Sequence, residues 1–286
     1  MELEWPLILF TTFIAWCGGL FATQCLLAIR GKGNKTQLAA WITSAVLLVI
    51  GGISVFMHLQ HWERIFNGFG HITSGITQEF IAIILIAIVA FVYIVQLKKK
   101  GAAHKAVCIA GIVVSVALVA VTGHSYMMAA LPTWNTVLQI LSLIGAACVL
   151  GPATFIVLSC FTGDAKDDFT GEVLTGSIVN AVLTIVYLIS MVTAQGSFTN
   201  MGYYFDPTRA TFGMTDAASF SPFAATALPC TITVIVAVVL AILAALMGKK
   251  QGWKVWGIVI VICGVVSAIC LRMVFYLCGG HVFLLF

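Results

Sequence analysis

Seven long stretches of the chain, at 5–29, 36–62, 80–97, 106–163, 173–205, 217–248 and 255–271, contain no Asp, Glu, Lys or Arg. A helix needs about 20 residues to cross ~30 Å of hydrocarbon, so most of these stretches suit one crossing, and 106–163 is long enough for two. Its natural break is Ala129-Ala130-Leu131-Pro132-Thr133-Trp134-Asn135, where a proline and polar residues interrupt the run and Trp134 suits an interface. The pattern predicts eight helices, near 6–29, 37–59, 77–97, 106–128, 136–160, 174–196, 228–247 and 255–278. Barrel strands are excluded, because they are roughly 10 residues long and alternate in polarity. With 61% of its 286 residues hydrophobic and only 8% charged, the chain cannot clothe a soluble domain, which carries about 25% charge. The expected fold class is therefore an all-α integral membrane protein, one eight-helix transmembrane domain over 1–286, with the lipid bilayer as its solvent. A net charge of +4 gives no support to nucleic-acid binding.

Orientation follows from the basic residues, which concentrate on the cytoplasmic side of membrane proteins. Arg30, Lys32 and Lys35 follow the first predicted span, Lys98, Lys99, Lys100 and Lys105 the third, Lys166 the fifth, and Lys249, Lys250 and Lys254 the seventh. Only Arg64, Arg209 and Arg272 of the fourteen fall toward the other face. The first set is read as cytoplasmic, which puts both termini outside, with the apolar start an uncleaved first span. The polar loop at 161–173 reads as a solvated turn. The long outer loop at about 197–227 is rich in aromatic residues, which suits packing over the bundle or against a partner protein.

Nine cysteines form no CxxC or Cys/His ligand run, and nearly all sit in apolar stretches, so they read as small buried hydrophobes. No metal is expected. The histidines are asymmetric: His104 is on the basic side, while His58, His61, His71, His124 and His281 lie toward the other. A transmembrane two-haem path needs axial ligands near both faces, which this distribution lacks. The expectation is a chain that binds no haem and no iron–sulfur cluster.

Three ionisable side chains from three helices stand at similar depth. His58 lies in the last turn of the second span, Glu79 opens the third, and Arg272 lies some ~25 Å along the eighth. Each has an ordinary explanation. His58 and Arg272 could be interfacial, with Arg272 snorkelling, and Glu79 suits a helix N-terminus. Their convergence, with Glu63 and Arg64 in the adjoining loop, makes a cluster with a proton acceptor, a second acid/base and a cation. Such a cluster suits oxidation of a quinol, whose apolar ring bears two hydroxyls that must each lose a proton. It also suits a proton-coupled secondary transporter, although a transporter predicts ionisable groups near mid-membrane and helices broken by an inverted repeat.

Glu4-Trp5-Pro6-Leu7, Met57-His58-Leu59, Phe66-Asn67, Glu79, Leu131-Pro132-Thr133-Trp134, Gly151-Pro152 and the ending Arg272…Phe275-Tyr276 occur in order along the chain. In this ordered set the sequence resembles the membrane-anchor subunit of bacterial dimethyl sulfoxide reductases. Gln60-His61-Trp62-Glu63 departs from the family's usual Gly-Ser-Pro turn. The resemblance implies a haem-free eight-helix anchor that oxidises menaquinol near the outer face in anaerobic respiration. Electrons would pass to a four-cluster iron–sulfur subunit and on to a molybdopterin catalytic subunit that reduces S- or N-oxides. It also implies quinol-site roles for His58 as proton acceptor and Glu79 as hydrogen-bonding or relay group. Arg64 and Arg272 are then expected to supply positive charge near the quinone oxygens or the docked partner. Trp134 and Tyr276 are supporting wall residues, or members of an aromatic belt. A quinone-linked anchor of a polysulfide-type molybdenum reductase is the nearest alternative.

Overall fold

The computed structural model describes residues 3–58, 70–164, 168–194 and 217–280. They form eight helices long and apolar enough to cross a membrane: α1 (Trp5–Ile29), α2 (Gln37–His58), α3 (Gly75–Lys100), α4 (Lys105–Ser125), α5 (Val137–Thr162), α6 (Thr170–Thr193), α7 (Leu228–Gln251) and α8 (Trp253–Leu277). A short 3-10 turn covers Ala217–Phe220. Among the described residues there is no strand.

Helices α1 and α5 are the two central elements. The first packs against α2, α4 and α5, and the second against α1, α4, α6 and α8, while α7 closes on α6 and α8 and α3 on α4. Between helices in lipid there is no hydrophobic drive, so close backbone approach through small residues takes its place. At Gly19 a Cβ would stand 2.1 Å from the Ala147 carbonyl oxygen, so α1 and α5 touch backbone to backbone there. A second close approach follows from Pro152, inside α5, which cannot donate to the carbonyl of Cys148. Gly176 of α6 lies over that carbonyl so closely that a Cβ would be 2.0 Å from its oxygen.

The outer helices reverse the pattern of a soluble protein. In α2 the buried positions are Gln37, Ala40, Ser44, Leu47, Gly51 and Ser54, a helical stripe of mostly small or polar residues. Ile42, Val46, Val49, Ile53, Phe56 and Met57 are exposed around it. The exposed apolar face is the one that lipid solvates. Gln37 on the buried stripe is bonded internally: the Tyr93 hydroxyl donates to Gln37 Oε1 at 2.7 Å, and Gln24 Nε2 donates to the Gln37 carbonyl at 2.9 Å.

Because the helices alternate in direction, all the described lysines gather at one end of the bundle, the basic end. The loop after α5 is more than a solvated turn. Asp164 accepts hydrogen bonds from both the backbone N–H and the hydroxyl of Thr36, each at 2.8 Å. Lys32 Nζ donates to the Asp168 carbonyl at 2.7 Å, and Arg30 pairs with Glu172. Asp168 accepts from the Thr170 N–H at the start of α6, and this bond holds its carboxyl below the usual carboxylate range. These contacts tie the α1–α2 connection to the α5–α6 connection. Between α7 and α8 the chain turns on Gly252, whose φ of 98° favours a residue without a Cβ.

Candidate functional site

At the end opposite the lysines, helix termini bring together a second set of polar groups. Pro6 lies in the first turn of α1, and the Glu4 carbonyl accepts from the N–H groups of Leu7 and Ile8, so Glu4 is anchored at the helix start. Its carboxylate stands 3.4 Å from Nδ1 of His58, the last residue of α2. Both side chains are partly open, at 39% for His58 and 47% for Glu4.

Glu79 sits in the second turn of α3 and is 5% exposed. One turn earlier, at Gly75, a Cβ would meet the Ser125 Cβ at 2.7 Å. The glycine thus lets α3 close on the end of α4, and the same face presents the Glu79 carboxylate to the Ser125 hydroxyl, which donates to it. Ser125 Oγ is also 2.9 Å from the Thr122 carbonyl. One hydroxyl hydrogen faces two acceptors, an arrangement that serves Glu79 in either protonation state. An ionised Glu79 accepts from Ser125; a protonated one donates to Oγ and frees Ser125 to bond Thr122.

Arg272 does not snorkel. It is 4% exposed, its guanidinium lies 5.0 Å from the centre of the Phe275 ring, and among the described residues neither Nη1 nor Nη2 has a hydrogen-bond partner. Tyr126, Tyr187 and Tyr276 are within its electrostatic reach. Tyr126 and Tyr276 also feel the charge of Glu79, and Tyr276 that of Glu4, so these groups share one neighbourhood. Trp134 and Tyr276 are likewise buried rather than placed in an interfacial belt. The Trp134 indole stacks on Phe275 with centroids 4.1 Å apart, meets Tyr276 edge-on, and donates from Nε1 to the Phe275 carbonyl at 2.8 Å. The Thr133 hydroxyl donates to the Cys278 carbonyl at 2.9 Å, which fastens the α4–α5 connection to the end of α8.

Of the residues singled out by sequence, His58, Glu79, Arg272, Trp134 and Tyr276 thus lie at one end of the bundle. Among the described residues no hydrogen bond joins His58, Glu79 and Arg272 to one another. Arg64, with His61, Glu63 and His281, lies outside the described residues, while His71 and His124 are exposed at this end. Sequence reasoning passed over Glu4, Ser125 and Gln139. Gln139 is fully buried, and neither polar atom of its amide has a partner among the described residues. Helices α5 and α8 run antiparallel, with Gly257 against Val157 and Gly264 against Leu150. The same register carries Gln139 to the level of Arg272 and Phe275. A separate cleft of about 450 Å³ between α1, α4, α5 and α6 runs from Gly18 to the Arg30–Glu172 pair, toward the basic end and away from this cluster.

Chemically, the cluster holds a histidine–carboxylate pair, a buried carboxyl with a hydroxyl partner and, beside aromatic rings, a guanidinium whose Nη1 and Nη2 have no hydrogen-bond partner among the described residues. A family model described as DMSO reductase anchor subunit (DmsC) matches residues 1–278. No curated protein matches the chain.

Proposed function

This chain belongs to the DMSO reductase anchor subunit family, matched over nearly its whole length, and from that membership we propose that it oxidises menaquinol at the end of the bundle carrying His58, Glu79 and Arg272. As an anchor subunit it attaches a DMSO reductase-type complex, with its catalytic and iron–sulfur subunits, to the membrane. In the proposed reading the quinol end faces outward, both termini lie on that side, and the membrane is the bacterial inner membrane. The lysines at the opposite end support this orientation. Electrons pass to a four-cluster iron–sulfur subunit and then to a molybdopterin subunit that reduces the terminal acceptor.

The observation that carries the proposal is the buried guanidinium of Arg272, whose Nη1 and Nη2 have no hydrogen-bond partner among the described residues, in the same neighbourhood as the buried Glu79 carboxyl. A buried charge without a partner is costly, and an oxygen-bearing ligand offsets that cost. A quinol fits this donor set. Its apolar ring suits the aromatic surroundings, one oxygen can take the guanidinium donors, and its two hydroxyl protons need acceptors. His58 is the acceptor for one proton, its partly open imidazole offering a ring nitrogen that can accept a hydrogen. Glu79, with Ser125 as its hydroxyl partner, hydrogen-bonds or relays the other. Arg272 holds positive charge where the oxygens become electron-rich, and Arg64 is proposed as a second source of charge. Trp134 and Tyr276 form the wall behind Arg272.

The test compares two electron donors in the assembled complex. With His58→Ala, turnover driven by a reduced menaquinone analogue is expected to fall at least about 100-fold, the usual scale for losing a proton acceptor. Turnover driven by a reduced dye that feeds the partner subunits directly reports that the complex is intact. Unchanged quinol-driven turnover would overturn the assignment.

A further inference from the structure

The Glu4–His58 approach joins the start of α1 to the end of α2, two elements that the site otherwise uses separately. We propose that Glu4 is the positioning and relay residue for His58, holding the imidazole through Nδ1 and conducting the proton released by the substrate to the outer water. The inference rests on the reading of His58 as the quinol's proton acceptor.

Three observations carry it. The Glu4 carboxylate is 3.4 Å from Nδ1, which leaves Nε2 as the nitrogen free to meet a substrate hydroxyl. The Glu4 carbonyl accepts from the N–H groups of Leu7 and Ile8, which fixes its backbone at the start of α1 within side-chain reach of His58. Its side chain is 47% exposed, which gives a proton arriving there direct access to water, whereas Glu79 at 5% has none comparable.

The step balances as follows. Oxidation of one quinol breaks two O–H bonds and sends two electrons to the iron–sulfur partner subunit. One of the two protons passes to Nε2 of His58 as Nδ1 gives its own hydrogen to Glu4, and the carboxylate then releases it to water. Solvent exchange at the partly exposed ring restores the starting tautomer. Among the described residues, the other titratable or charged groups at this end of the bundle include Glu79 of α3, His124 and Tyr126 at the end of α4, and Arg272 and Tyr276 of α8. Of these, Tyr276 is within electrostatic reach of Glu4.

The experiment measures quinol-driven turnover for the wild-type complex and for Glu4→Gln, Glu4→Asp and His58→Ala, with dye-driven turnover as the assembly control. An amide at position 4 can still accept a hydrogen bond from Nδ1 but cannot take up its proton, whereas a shorter carboxylate can do both. Glu4→Gln is expected to reduce quinol-driven turnover about 10-fold, a modest share of a general-base effect, with dye-driven turnover unchanged, and Glu4→Asp to recover part of the loss. Full quinol-driven turnover in Glu4→Gln, or an equal loss in Glu4→Asp, overturns the proposal. Full turnover in His58→Ala defeats the underlying assignment instead, so the two failures are distinguishable.

Discussion

Arg272 shows at the scale of one residue how burial changes the meaning of a charge. On insertion scales an arginine at the centre of a spanning helix costs about 2.5–3.5 kcal/mol, and a snorkelling side chain escapes much of that. Here the side chain is buried and no described residue accepts from its terminal nitrogens. If the guanidinium is kept for a ligand, Arg272→Gln should raise the melting temperature of the purified complex while cutting quinol-driven turnover at least about 10-fold, a stability–function exchange typical of binding sites. A lower melting temperature would show instead that the charge is partnered within the fold. The placement of His58, Glu79 and Arg272 at one end of the bundle was legible in the sequence because ionisable residues are so scarce that each exception is conspicuous. Ser125 and Gln139 were not, since a neutral polar residue at the end of an apolar run has no pattern of its own. Glu4 entered the sequence reading only within the Glu4-Trp5-Pro6-Leu7 motif, and the fold brings His58 at the end of α2 beside it. Trp134 suited an interface by position, but its indole N–H finds the Phe275 carbonyl inside the bundle.

Helix existence was clear at the scale of elements because uncharged runs of span length admit little else in lipid. Their ends were less clear. Helix α3 continues through Lys98, Lys99 and Lys100, and α7 through Lys249 and Lys250, because cations suit a helix C-terminus and their stems can reach the headgroups. Counting uncharged residues stops short of such ends. Packing between elements was not legible either: the sequence displays Pro152 and Gly176 separately, and only the fold places the glycine on the carbonyl that the proline leaves without a donor. Adding a methyl at Gly176 should therefore force α5 and α6 apart. Gly176→Ala is expected to destabilise the protein by about 1–3 kcal/mol, the scale of overpacking, in thermal unfolding in mild detergent. Gly171→Ala is the contrast, because a Cβ there meets nothing within 4 Å and alanine favours a helix. Equal effects of the two substitutions would remove close packing as the reason for Gly176.

For the molecule as a whole, the division of labour follows from the two ends of the bundle. The basic end is cross-linked by Arg30–Glu172, Lys32–Asp168 and Thr36–Asp164, contacts that hold connections together. The opposite end collects a histidine–carboxylate pair, a buried carboxyl and a buried guanidinium. A subunit that takes protons and electrons from quinol at one end, and delivers both on that side, moves no net charge across the membrane, so it should not by itself build a protonmotive force. The most direct measurement of this account follows the partner iron–sulfur clusters by electron paramagnetic resonance, after the assembled complex is mixed with a reduced menaquinone analogue. The wild-type complex should show cluster reduction on the timescale of turnover, and Glu79→Gln should slow it at least about 100-fold. Cluster reduction at the wild-type rate in Glu79→Gln would contradict the placement of quinol oxidation at this end of the bundle.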